Sequence, residues 1–122
     1  MTHKLLILAL LLLAGSVLVF AGNEGIMGVG KINTVTFNQP MKVGTSVLPE
    51  GTYRVVHVME AENHIMVFTS KDKRVPEVRV RCKMENLPAR ANQGSILYER
   101  DASGVAVLNR LVFRGDTYSH NF

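Results

Sequence analysis

From Val78 to Met84 the chain alternates without a break. Val78, Val80, Cys82 and Met84 share one parity, and Arg79, Arg81 and Lys83 share the other. Successive side chains of a pleated backbone point to opposite faces, so this period of two specifies a strand with one buried and one wet face. Ile32–Phe37, Thr52–Glu60, His64–Ser70, Ser95–Arg100 and Val105–Phe113 are β-rich as well. Turn signals separate them: Asn38-Gln39-Pro40, Gly44-Thr45, Pro49-Glu50-Gly51, Lys71–Arg74, Asp101–Gly104 and Gly115-Asp116. Beyond the N-terminal apolar run, no segment carries a long helical repeat. About seven short strands spaced by turns predict an all-β fold, a small antiparallel β-barrel or sandwich. The expected core includes Val35, Phe37, Val43, Leu48, Tyr53, Val55, Val67, Val78, Val80, Ile96, Tyr98, Val107, Leu111 and Phe113. A chain of 122 residues allows one such domain. Its single Cys excludes an internal disulfide framework and a Cys-rich zinc site.

Met1–Ala21 reads as a cleaved signal peptide. His3 and Lys4 precede an apolar run from Leu5 to Phe20, and Val19-Phe20-Ala21 supplies a small-residue cleavage site. That run is shorter than the ~20 residues a spanning helix needs. Residues 22–30, rich in Gly, are then a flexible lead-in, and 31–122 are a single β-domain in a periplasm or outside the cell. No membrane span is expected after cleavage.

Phe37–Val55, FNQPMKVGTSVLPEGTYRV, combines an aromatic, a short strand, a VG turn and an LP-x-GTY-x-V sequence. In this it resembles small exported all-β proteins of soil bacteria. Ser95–Gly115, SILYERDASGVAVLNRLVFRG, is similar to their closing hairpin. The resemblance implies a compact antiparallel β-domain and export, and it brings no catalytic residue with it.

Four constellations bear on chemistry. Gly25–Lys31, GIMGVGK, matches the GxxxxGK spacing of a phosphate loop, but Ile32 stands where a Ser or Thr must hold magnesium. His57-x-Met59 and His64-x-Met66 each project a His and a Met to one face of a strand. An even-length turn, with Ala61 opposite His64 and Met59 opposite Met66, gathers all four side chains on one face. A three-residue loop, Ala61–Asn63, separates them. Imidazole with thioether is a soft ligand set that selects Cu(I). Arg79, Arg81 and Lys83 form a basic row at about 7 Å spacing, matched to an anionic polymer or equally to an edge strand guarded by charge. Cys82, in register with apolar neighbours, reads as a buried thiol.

No catalytic constellation emerges. The serines lack a nucleophile elbow, and nothing singles out two of the glutamates. The formal net charge of +4 permits an anionic partner without requiring one. No aromatic side chain interleaves with the basic row, which argues against nucleic acid. The expectation is an exported, non-catalytic binding or structural module without a cofactor. It would contact an anionic envelope polymer or a protein through a sheet face or an exposed edge, including self-association. The alternatives are a periplasmic Cu(I)-binding protein and a hydrolase with a site assembled across strands.

Overall fold

A computed structural model describes residues 26–122; the expected signal peptide and residues 22–25 of the lead-in lie outside the described residues. After a single 3-10 turn at Ile26–Gly28, nine strands follow. They are β1 (Ile32–Phe37), β2 (Met41–Val43), β3 (Ser46–Leu48), β4 (Gly51–Glu60), β5 (Asn63–Ser70), β6 (Val78–Asn86), β7 (Ser95–Arg100), β8 (Ala106–Val112) and β9 (Tyr118–Asn121). The fold is all-β, as the turn-spaced strands require. Two of the nine strands come from the short Met41–Leu48 hairpin, which turns at Gly44 with φ 62°.

The strands form one sheet in the order β1-β4-β5-β6-β9-β8-β2-β3, with β7 on the far edge of β8. β6 joins the two halves. Its first part, Val78–Cys82, pairs with β5, and its last part, Lys83–Asn86, pairs with β9. The near edge of β8 is divided in the same way. Ala106 and Val107 pair with β2 in parallel, while Arg110 and Leu111 pair antiparallel with β9. All other pairings are antiparallel, so β1 and β7 run in the same direction.

The barrel expectation is corrected at this point: the sheet does not close. Among the described residues β1 pairs only with β4, and β7 only with β8. Each keeps a free edge.

The core lies between the two halves. Phe37, Tyr53 and Phe68 meet in it, with ring centroids 5.7 Å apart for Phe37–Tyr53 and 6.4 Å for Phe37–Phe68. Phe122 closes it from the C-terminus, 6.2 Å from Phe68. The Tyr53 hydroxyl donates to the Pro49 carbonyl at 2.6 Å, so a phenol is buried without an unmade hydrogen bond. Met41, Val43, Leu48, Leu108 and Leu111 complete the packing from the other half.

Five expected core residues are not buried as read. Val78 and Val80 are half-buried, packed against the core from β6. Ile96 and Tyr98 are exposed, because β7 has no strand beyond it. Val107 is half-buried, whereas Ala106 and Leu108 are inside. The β7–β8 ladder steps from Leu97↔Arg110 to Tyr98↔Leu108, leaving Asn109 as an extra residue. Such a bulge reverses which parity faces inward. Before it the even residues of β8 are buried, and after it Leu111 is.

Candidate functional site

The hairpin between β4 and β5 decides where the His-x-Met pairs point. Glu60 pairs with Asn63, so the loop is the two residues Ala61-Glu62. Ala61 holds φ 54°, a positive value of the kind primed hairpin turns require. The loop is therefore even in length, and His57, Met59, His64 and Met66 share one face. The pairing is shifted from the expected one: Met59 opposes His64, and His57 opposes Met66. Directly opposed residues have Cβ atoms about 4.5–5.5 Å apart.

β6 extends these rows across the sheet. His64 also opposes Cys82, and Met66 opposes Val80. Further along β6, Met84 opposes His120 of β9. One end of the inner face thus carries three imidazoles, several thioethers and the chain's lone thiol. His57 and His120 are each 2% exposed, while His64 is half-buried at the mouth and Met59 is 40% exposed.

Hydrogen bonds fix the imidazoles. His57 Nδ1 lies 3.0 Å from the Met27 carbonyl. A carbonyl only accepts, so Nδ1 carries the proton and Nε2 presents a lone pair. His57 Nε2 is 2.8 Å from His64 Nδ1, which must then be the donor. The three rings pack together, with centroids 5.0 Å apart for His57–His64 and 5.2 Å for His57–His120, the latter edge-on. Burial, and then the neighbouring His64, holds the His57 pKa below its usual value. Burial, reinforced by His57, lowers His120 to about 4. His120 Nδ1 is buried without a partner, as is Asp116 Oδ2 nearby.

The glycine-rich lead-in helps to hold this end together. The Gly30 N–H donates to the His57 carbonyl at 2.7 Å. Lys31 Nζ donates to Asp116 Oδ1 at 2.8 Å, and the carboxylate keeps the ammonium pKa above its usual value. Gly28 has φ 75°, and a Cβ there would stand 2.2 Å from the Tyr118 hydroxyl. The lysine of the GxxxxGK sequence thus serves an internal carboxylate. Nothing in the sequence signalled the Lys31–Asp116 pair or the part played by His120, because contacts across 85 residues leave no local pattern.

The basic row lies elsewhere. Arg79, Arg81 and Lys83 are exposed on the outer face. Arg79 and Arg81 lie in the part of β6 whose only strand partner among the described residues is β5, and Lys83 in the part that pairs with β9. Arg79 bonds Glu60 across the sheet. Ile65 and Val67, which oppose Arg81 and Arg79, are only 8% and 7% exposed on that outer face. Arginine stems cover apolar surface in this way while the charge stays in water.

Two clefts mark the gap between the free edges of β1 and β7. One, of about 330 Å³, is lined by Thr34–Thr36, Gly94–Ile96 and Leu111–Phe113. The other, of about 290 Å³, is lined by Thr36–Gln39, Met41, Ile96 and Tyr98. Arg100 Nη2 reaches Gln39 Oε1 at 2.9 Å across one end. The flanking strands expose Ile32, Ile96, Leu97 and Tyr98 at 55, 37, 54 and 39%.

The thiol and the imidazoles do not form a nucleophile–base pair. Cys82 is 4% exposed and makes no hydrogen bond to His64, and burial pushes its pKa up to about 11. An activated cysteine needs the opposite shift. Ser70 and Ser103 are engaged in turns with Asp72 and Asp101. Comparisons with protein-family models, curated proteins and solved structures return no match.

Proposed function

We propose that the chain is an exported, non-catalytic binding module that receives an extended polypeptide strand between β1 and β7. The observation that carries this reading is the state of the two edges. Edge strands are ordinarily blunted by lysine, proline or a covering loop. Here INTVTF and SILYER carry neither Lys nor Pro, and they hold four of the exposed large apolar side chains. β1 and β7 run in the same direction, so one strand between them is antiparallel to both. It would pair its backbone on two sides and cover the exposed side chains, the recognition mode known as strand addition. No helix among the described residues is long and apolar enough to cross a membrane. Export rests on the leader at Met1–Ala21. An anionic polymer on the basic row is less well supported, because Arg79 is already paired with Glu60.

Amide hydrogen exchange on the full chain tests the reading. The probe is a synthetic peptide of the β8 sequence AVLNRLV, which the chain itself already pairs antiparallel to β7. Slower exchange confined to β1 and β7 is the expected result. Protection that grows with protein concentration, without peptide, would identify the strand as that of a second copy. Unchanged exchange on both strands in every condition removes the proposal.

A further inference from the structure

We propose that the inner face of β4, β5 and β6 binds one Cu(I) ion, with His57 Nε2, the His64 ring and the Cys82 sulfur as ligands and the Met59 thioether at the mouth. The donor set is the first argument. Two imidazoles, a thiol and a thioether lie in adjacent cross-strand rows. Asp116, the carboxylate near them, is held by Lys31. Nitrogen and sulfur donors suit a soft ion, whereas Ca²⁺ and Mg²⁺ require oxygen.

Register supplies the second argument. His64 lies between Met59 on β4 and Cys82 on β6 in one continuous row. His57 occupies the next row inward, and its Nε2 already stands 2.8 Å from the His64 ring. The Met27 carbonyl holds the other His57 nitrogen. Metal-bound imidazoles are oriented by the same kind of outer contact.

The third argument is independent of the first two. His120, 2% exposed, packs edge-on against His57 with Nδ1 unpartnered. A core selected for packing alone would hold apolar side chains here, because an unmade buried hydrogen bond lowers stability. Polar groups kept at such a cost point to a role beyond folding.

Among the described residues no three of His, Cys, Asp and Glu already stand in a ligand arrangement. Binding therefore requires the half-buried His64 ring to turn out of its bond with His57. The exposed Met59 and the partly open His64 give the ion a way in. On binding, the Cys82 S–H bond breaks, a sulfur–copper bond forms and the proton leaves to solvent. No electron is transferred. The copper–thiolate pair is net neutral, so burying it leaves no isolated charge.

The test is an anaerobic titration of the full, reduced chain with Cu(I) against bicinchoninate, beside Cys82→Ser and His64→Gln. Both variants are checked for folding by circular dichroism; His64→Gln replaces a residue at the mouth and keeps a polar side chain there. One equivalent of copper should be retained, and each variant should weaken retention about tenfold or more. Zn(II) should compete poorly. The proposal is overturned if the folded chain retains no copper, if both folded variants retain it as the parent does, or if Zn(II) displaces it at equal concentration.

Discussion

The histidine end of the inner face and the β1–β7 gap break the rule of polar outside and apolar inside in opposite directions. At the first, His57 and His120 sit in a core that elsewhere holds Phe37, Tyr53 and Phe68. At the second, Ile96, Leu97 and Tyr98 stand in water on an edge that charge would ordinarily protect. The two departures act on different equilibria. Buried imidazoles reduce folding stability whenever protons are available to the unfolded chain. Exposed apolar side chains on a free edge leave the monomer's stability almost untouched and act on association. A single protein thus offers two experiments that separate by what they perturb.

Acid is expected to produce the largest effect, and only at the histidine end. The folded His120 titrates near 4, against 6.5 for the ordinary imidazole. Five charged or titratable groups face it, of which Tyr118, edge-on at 5.7 Å with its pKa raised by burial, stays neutral across this range. His57 and His64 oppose its protonation, as does Lys31, while Asp116 favours it. Between the two values the unfolded chain binds a proton that the folded chain refuses. Stability is therefore complete above about pH 6.5 and is lost as pH falls toward 4, by on the order of 3 kcal/mol. His57, lowered by burial, contributes with the same sign. Urea unfolding at about pH 7 and about pH 4.5 measures this. A flat profile between them would show that the imidazoles are not buried uncharged.

A smaller effect should come from the turn that holds His57. Gly28→Ala places a Cβ against the Tyr118 hydroxyl in a left-handed conformation that L residues avoid. The expected loss is about 2 kcal/mol, combining backbone strain with displacement of the tyrosine. Gly30→Ala is the matched control: its φ is 82°, but nothing lies within 4 Å of its Cβ. It should lose only the conformational part, about 1 kcal/mol. Equal losses in the two variants would mean that the close approach to Tyr118 is not what ties this turn to β9.

How much of this was legible in the sequence differs between the two regions. The strands were, because alternation and turn residues act within a few positions. The shared face of His57, Met59, His64 and Met66 depended on loop parity alone, and the sequence left both parities open. His120 and the Lys31–Asp116 pair were hidden, since they join the chain's two ends. The edges are not legible in the sequence for a physical reason. The charged row of β6 opposes Ile65 and Val67 of β5, in a stretch that has β5 as its only strand partner among the described residues, so the same alternation serves a strand inside the sheet order and a one-sided pairing. In turn β7, which has β8 as its only partner among the described residues, is no less apolar in sequence than a central strand. Only the pairing order distinguishes the two cases. The Asn109 bulge inverted β8 in the same silent way, because nothing in AVLNRLV marks where an extra residue will be left unpaired.

The smallest effect on folding belongs to the gap, and it is the sharpest test of the contrast. Leu97 is 54% exposed on β7, in contact with neither the aromatic core nor the imidazoles. Leu97→Lys should change the unfolding free energy by no more than about 0.5 kcal/mol, as surface substitutions generally do. The same change adds the charge that free edges ordinarily carry, and so should abolish the slowed exchange that the AVLNRLV peptide brings to β1 and β7. Val47→Lys is the control, since Val47 is 53% exposed on β3, a strand that does not flank the gap. If exposed apolar area were all that mattered, the two variants would weaken peptide binding alike. If the gap between β1 and β7 is the binding feature, Val47→Lys, on the edge strand β3 away from that gap, binds as the parent does and Leu97→Lys does not. Unchanged stability with selective loss of binding would place the role of β7 in association, as the buried imidazoles place theirs in the pH dependence of folding.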